Sequence, residues 1–231
     1  MKKVDNSNHL SSFDVFGINP EPIALITLPI EKHLKYKNQI QLIFEDSPRK
    51  LNQKFSTEPY SEHICNAINQ NIFNSFPQLI ELRSDIDSYI LDFIAEIGFL
   101  CDELVITSAW ANKANKNSKL GFHQHANSYI SGNYFVNFDN VNHSQLSFQN
   151  DRKFCTSYRQ VMTIPNTKFK STPYNQDAYV IPSKEGQILL WRSHLAHGYS
   201  NPNKADNRCT LSFNAMPKTL STGAYKFTVS E

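Results

Sequence analysis

The stretch Leu189–Asn214, LLWRSHLAHGYSNPNKADNRCTLSFN, carries two β-prone runs around a turn-rich centre. The first run, Gln187 to Trp191, is short and apolar, as expected of a buried strand. Asn201 to Asn207 holds Asn, Pro, Lys and Asp, residues that favour turns and interrupt regular structure. Arg208 to Asn214 then alternates, with Arg208, Thr210, Ser212 and Asn214 on one side and Cys209, Leu211 and Phe213 on the other. A period of two is that of a strand with two different faces. Strand, turn and returning strand describe an antiparallel sheet.

The same grammar extends outward. Further β-rich runs lie at Leu104 to Trp110, Tyr129 to Val136, Gln145 to Gln149, Gln160 to Ile164, Ala178 to Ile181 and Tyr225 to Val229. Clusters such as Asn137 to Asn142 bound them. Before Asp102 the pattern differs. Pro20 to Pro29 reads as one short buried strand. Ile64, Ile68, Ile72 and Phe73, then Ile86, Ile90, Leu91, Phe93, Ile94 and Ile97, recur at helical spacing, predicting two amphipathic helices between Ser61 and Phe99. They part near Ser75-Phe76-Pro77, and Gly98 marks a helix end. Many short strands preceded by helices predict a mainly β fold with a helical buttress: a double-stranded β-helix, the cupin-like jelly roll. We expect a single domain over 1–231, with residues 1–102 supplying a strand and helices and 103–231 the jelly-roll core. Helices do not alternate with strands, which excludes a parallel Rossmann sheet.

Composition narrows the function classes. Of 231 residues, 40% are hydrophobic and 19% charged, which is globular composition. A net charge of +2 with scattered Lys gives no nucleic-acid or acidic-membrane patch. No apolar run approaches membrane-spanning length and no signal-peptide core follows Met1. The four cysteines lack CxxC spacing, so neither a disulfide framework nor a zinc knuckle is indicated. The expected setting is soluble and reducing, hence cytoplasmic; a homodimer is left open. With seven glycines and no GxGxxG, nucleotide motifs are absent.

Chemistry concentrates in histidines. In Gly121-Phe122-His123-Gln124-His125 an extended backbone points His123 and His125 to one face, where they can share a metal. Imidazole suits Fe, Zn, Cu and Ni alike. The same spacing also occurs in solvated or core-capping pairs. His197, just after the Gln187–Trp191 strand, is a third candidate, with His194 able to take its place. Arg208 and Thr210 share a face eleven positions beyond His197. In solvent they would be ordinary edge residues. Inside a barrel a buried arginine requires an anion, and a dicarboxylate's distal carboxylate would supply one through paired N–H···O bonds.

HQHANSYISGNYFVN (123–137) and Leu189–Asn214 resemble the 2-oxoglutarate–Fe(II) oxygenase superfamily, most of all a bacterial and phage branch whose first motif reads H-x-H-P-x-S before S-G and aromatics. ALITLPI near the start resembles the strand that opens that branch. The resemblance implies a jelly roll with Fe(II) held by His123, His125 and His197. It also implies 2-oxoglutarate anchored by Arg208 and Thr210, O₂ as oxidant, and no catalytic residues beyond the metal ligands. The implied reaction is hydroxylation of a C–H bond with release of succinate and CO₂. This chain departs from the common pattern in having His125 where most of the superfamily has a carboxylate. It also has Ala126 for the branch's proline, and Trp191-Arg192-Ser193-His194 where F-P-S-W is more frequent. Asn112, Ser131 and Tyr134 are further residues whose facing the sequence leaves open. The alternatives are a cupin-like metalloenzyme without 2-oxoglutarate and a non-catalytic metal-binding jelly-roll module. The substrate is open among protein side chain, nucleobase, lipid and small molecule.

Overall fold

The computed structural model describes residues 21–46, 50–51, 61–64, 71–149, 176, 178–199, 201–221 and 223–229. In chain order the elements are β1 (Ile23–Thr27), α1 (Ile30–Asp46), β2 (Lys50–Leu51), β3 (Ser61–Ile64), α2 (Ile72–Ser75), a 3₁₀ turn (Pro77–Leu79) and α3 (Ile80–Glu96). There follow β4 (Leu104–Ala114), β5 (Leu120–His123), β6 (Ile130–Asn137), β7 (Ser147–Gln149), β8 (Ala178–Val180), β9 (Gln187–Arg192), β10 (His197–Tyr199), β11 (Arg208–Pro217), β12 (Thr219–Ser221) and β13 (Lys226–Thr228). A seven-stranded sheet in the order β1-β9-β6-β11-β4-β3-β2 faces a four-stranded sheet, β5-β10-β7-β8; β12 and β13 form a separate hairpin. Every strand pair is antiparallel. This is the expected jelly roll.

The large sheet has two unlike faces. Its outer face contributes Ile106, Ala109, Ala111, Tyr134, Val136, Ile188, Leu190, Leu211 and Phe213 to a core shared with the helices. Those bring Tyr36, Ile40, Ile43 and Phe44 from α1 and Leu82, Ile86, Ile90, Phe93 and Ile94 from α3. The inner face meets the small sheet across a second cluster that includes Phe135, Leu189, Trp191, Phe148 and Tyr199. Gly132 is required where the two layers of side chains crowd: a Cβ there would lie 2.2 Å from Phe213 Cζ. Asn214 pairs with Ser108 and Ala215 with Ile106, so Thr107 is bulged out of β4. The bulge keeps Ser108, Trp110 and Asn112 facing inward while Ile106 turns outward.

Three expectations need correction. Ser61 to Ile64 is not helical but strand β3, paired with β4 at Ser61↔Ala114 through Ile64↔Ala111. There the exposed backbone groups of β4 find partners, and ladder formation overrides local helical spacing. Ile68 lies outside the described residues, and the helix at Ile72 is a single turn with Asn71 as its N-cap. The second long helix is instead α1, whose buried His33, Tyr36, Ile40, Ile43 and Phe44 follow helical spacing but alternate with Lys, Asn and Gln. Finally β1 is an edge strand and half-exposed, with Leu25 45% accessible, rather than buried. The expected strand at Gln160 to Ile164 lies outside the described residues. The end of α3 at Gly98 holds, with φ of 88° in the left-handed region that glycine tolerates. Among the described residues no helix is long and apolar enough to cross a membrane.

Candidate metal centre and anion pocket

His123 and His197 are direct cross-strand partners on β5 and β10. Gly198 permits the tight approach: a Cβ there would sit 2.9 Å from the carbonyl oxygens of Leu120 and Gly121. His125 lies just past the end of β5, where its backbone N–H donates to the Ser193 carbonyl at 3.1 Å. The ring centroids form a near-equilateral triangle: 4.5 Å for His123–His197, 5.0 Å for His123–His125 and 5.1 Å for His125–His197. One ring nitrogen from each falls within 4.8 Å of the others, close enough to share a metal ion.

Two tautomers are fixed by the backbone. His123 Nδ1 lies 3.0 Å from the Gly121 carbonyl and His197 Nδ1 lies 2.9 Å from that of Leu195. A carbonyl only accepts, so both Nδ1 atoms carry the proton and both Nε2 atoms keep a free lone pair. Burial, reinforced by the positive charge His123 would carry, pushes His125 down to about 4 and His197 down to about 3. For His197 the bond to Leu195 opposes the shift only in part. Both imidazoles are therefore neutral at physiological pH, the form that binds metals.

A buried polar chain braces His125. Asn214 Nδ2 lies 3.5 Å from His125 Nδ1, at the long end of a hydrogen bond, and donates to Ser108 Oγ at 3.0 Å. Asn214 Oδ1 accepts from Ser131 Oγ at 2.7 Å, and Ser131 reaches Ser193 Oγ at 2.8 Å. His194, by contrast, points away: its Nε2 lies 3.1 Å from Glu21 Oε1 and its side chain is 46% exposed. It does not join the cluster.

Arg208 and Thr210 both face the space between the sheets, and both are buried. The Arg208 guanidinium carbon stands 3.7 Å above the ring of Tyr199, two residues beyond His197. Its Nε is buried without an acceptor, and among the described residues no carboxylate pairs with it. A buried cation stacked on a ring, with no anion beside it among the described residues, is suited to receive a carboxylate. The three clustered imidazoles are nitrogen donors that suit divalent iron. The residues thus fit both a metal and a carboxylate ligand.

Residues 108–214 match the profile of the family described as "Putative 2OG-Fe(II) oxygenase". Over that span, a little under half of the chain, the sequence is similar to the 2-oxoglutarate–Fe(II) oxygenases. The matched span contains all five residues just described, and its two ends, Ser108 and Asn214, are hydrogen-bonded to each other. Among curated proteins no sequence match is found. Several solved structures share the fold. HygX from Streptomyces hygroscopicus, solved with nickel, 2-oxoglutarate and hygromycin B, is 11% identical at a TM-score of 0.58, covering 85% of this chain and 83% of its own. The 2-oxoglutarate-dependent epimerase SnoN of nogalamycin biosynthesis is 9% identical at 0.62, covering 91% and 87%. A Pseudomonas putida prolyl-4-hydroxylase is 8% identical at 0.55, covering 85% and 92%.

At this site some residues escaped the sequence. Asn214 shares a strand face with Arg208 and Thr210, but its contact with His125 and its bonds to Ser108 and Ser131 depend on β4, β6 and β11 meeting. Tyr199 was hidden because its partner is Arg208, across the turn. Of the residues left open, Ser131 faces inward, whereas Tyr134 faces the helices and bonds His33 Nδ1 at 2.7 Å. Asn112 lies opposite Thr210 in the ladder.

Proposed function

We propose that His123, His125 and His197 hold Fe(II), and that Arg208 with Thr210 holds the distal carboxylate of 2-oxoglutarate. The chain is a non-haem Fe(II) and 2-oxoglutarate-dependent dioxygenase, and this assignment names the residues that serve it. Iron with 2-oxoglutarate and O₂ supplies the oxidising chemistry, coupling decarboxylation to succinate and CO₂ with attack on a substrate C–H bond. The protein's own residues bind, orient and shield. His123 and His197 present lone pairs fixed by backbone carbonyls, and Asn214 limits rotation of His125. Arg208 neutralises the carboxylate in a dry interior and Thr210 offers it a hydroxyl donor. Trp191, Phe148 and Tyr199 surround His197 with apolar surface that excludes water.

The observation that carries this reading is the buried guanidinium of Arg208 facing the same intersheet space as the three histidines. A cupin-like enzyme without 2-oxoglutarate would leave that cation uncompensated, at a penalty of about 3–5 kcal/mol. Structures that share the fold were solved with hygromycin B, nogalamycin RO and a hypoxia inducible factor peptide fragment, so small molecules and peptides lead the substrate classes to be tested. We place the enzyme in the cytoplasm, where Cys101 and Cys209, both free, stay reduced. The test is succinate release from 2-oxoglutarate by the iron-loaded enzyme against peptides, nucleobases and small metabolites. Iron-dependent succinate formation, even uncoupled, is expected; its absence with every substrate and without any would overturn the reading.

A further inference from the structure

Three hydrogen-bond donors face the interior between the sheets without an acceptor: Arg208 Nε, Asn133 Nδ2 and Trp191 Nε1. All three side chains are more than nine-tenths buried, with exposures of 6%, 3% and 2%. A buried donor left unpaired is costly, and native proteins seldom tolerate one without a reason. Three on the inward face of one sheet, all donors, point to a ligand rich in acceptors.

Their positions trace its path. Asn133 of β6 stands opposite Ser212 of β11, and its Oδ1 accepts from Ser212 Oγ at 2.9 Å, so the Nδ2 edge is the free one. Ser212 follows Thr210 on the inward face of β11. Trp191 of β9 pairs with Ser131 of β6, and its ring centroid lies 4.7 Å from that of His197. The donors therefore run from Arg208, past Asn133, to Trp191 beside the histidines.

We propose that Asn133 and Trp191 are further binding residues for 2-oxoglutarate, each donating one N–H to it. This rests on the cosubstrate reading above. Trp191 addresses the end nearest the histidines and Asn133 the stretch toward Arg208. A dianion with an additional keto oxygen offers acceptors to every donor in the row, which a monocarboxylate does not.

The experiment is calorimetric titration of 2-oxoglutarate into anaerobic, Mn(II)-loaded full-length protein. Wild type is compared with Trp191→Phe, Asn133→Val, Asn133→Asp and Arg208→Ala. Losing one hydrogen bond to a charged ligand should weaken binding roughly tenfold to a hundredfold. Asn133→Asp keeps the Ser212 bond but turns an acceptor toward the anion, so it should weaken binding at least as much as Asn133→Val. Manganese stoichiometry should stay at the wild-type value. A purely structural role makes a different prediction: lower melting temperature of the ligand-free protein with an unchanged dissociation constant. That result overturns the proposal. A measurement without any Trp191 substitution accompanies it: the Trp191 indole N–H resonance of Zn(II)-loaded protein, assigned with Trp110→Phe, should move on adding 2-oxoglutarate. An unmoved resonance argues against the Trp191 assignment. If wild type binds and Arg208→Ala does not, while Asn133 and Trp191 variants bind like wild type, this inference fails and the cosubstrate reading stands. If wild type itself does not bind, the cosubstrate reading fails.

Discussion

A guanidinium enclosed in a protein is an unfinished interaction when, among the described residues, no carboxylate stands beside it, and we propose that at Arg208 a carboxylate of 2-oxoglutarate completes it. The arginine, the hydroxyl of Thr210 and the HxH pair were legible in the sequence because a strand's period of two assigns each side chain a face. Asn133, Trp191 and Tyr199 were not, because what distinguishes them is an unpaired or stacked atom across neighbouring strands. At the histidines, replacing His123, His125 or His197 by Ala should in each case lower Fe(II) affinity more than the roughly 10–100-fold seen for outer partners, and so lower the iron content of anaerobically loaded protein. His194→Ala should leave it unchanged, given its bond to Glu21. Elemental analysis reads both; full iron in His125→Ala would contradict the triad. Titration gives a second check. His125 at about 4 and His197 at about 3 lie below the ordinary value of 6.5, so the unfolded chain binds more protons over that interval. Stability of the metal-free protein contributed by these two groups is therefore retained above about pH 6.5 and lost as pH falls toward 3–4. The thermal midpoint of metal-free protein should drop across that window, and less steeply in His197→Gln; equal slopes would contradict the buried, neutral assignment.

Among elements, α3 and the strand ladder β5–β10 carry the clearest consequences. α3 announced itself through Ile86, Ile90, Phe93 and Ile94, a regular apolar stripe, and Phe93 is 6% exposed in the core it shares with the sheet. Phe93→Ala should destabilise by about 3–5 kcal/mol in chemical denaturation. α1 was missed because exposed Leu34 and Leu42 blur its stripe while buried His33 and Tyr36 look polar in a sequence. β3 was misread because its partner strand decides its conformation and lies some fifty residues on. In the ladder, Gly198 has backbone oxygens where a side chain would go. Gly198→Val should force β10 from β5 and separate His197 from His123, lowering metal affinity more than it lowers thermal stability. Undiminished metal binding by that variant would show that the close approach is dispensable.

For the whole molecule, the two sheets have different tasks. The large one anchors Arg208 and Thr210, the small one supplies His123 and His197, and the helices hold the large sheet's outer face. Residues before Asp102 provide β1, β2 and β3 of the large sheet as well as the helical layer. We propose that 1–231 folds as one unit. A chain beginning at Asp102 should lose the cooperative unfolding transition and bind the dye-accessible apolar surface marker of a molten state. A well-folded, metal-binding product from that truncation would instead mark the first hundred residues as a separate domain.

The proposed chemistry depends most on 2-oxoglutarate meeting Arg208. Calorimetric titration of 2-oxoglutarate into anaerobic Fe(II) protein measures that directly, with wild type beside Arg208→Ala, Arg208→Lys and Thr210→Ala. Charge-assisted hydrogen bonds contribute about 1.5–3 kcal/mol each, so Arg208→Ala should weaken binding by tens- to hundreds-fold. Arg208→Lys should recover little of it, lacking the planar fork, and Thr210→Ala should lose only about one neutral hydrogen bond. Iron should remain bound throughout. Binding by Arg208→Ala as tight as by wild type, or no binding by wild type, would contradict the account.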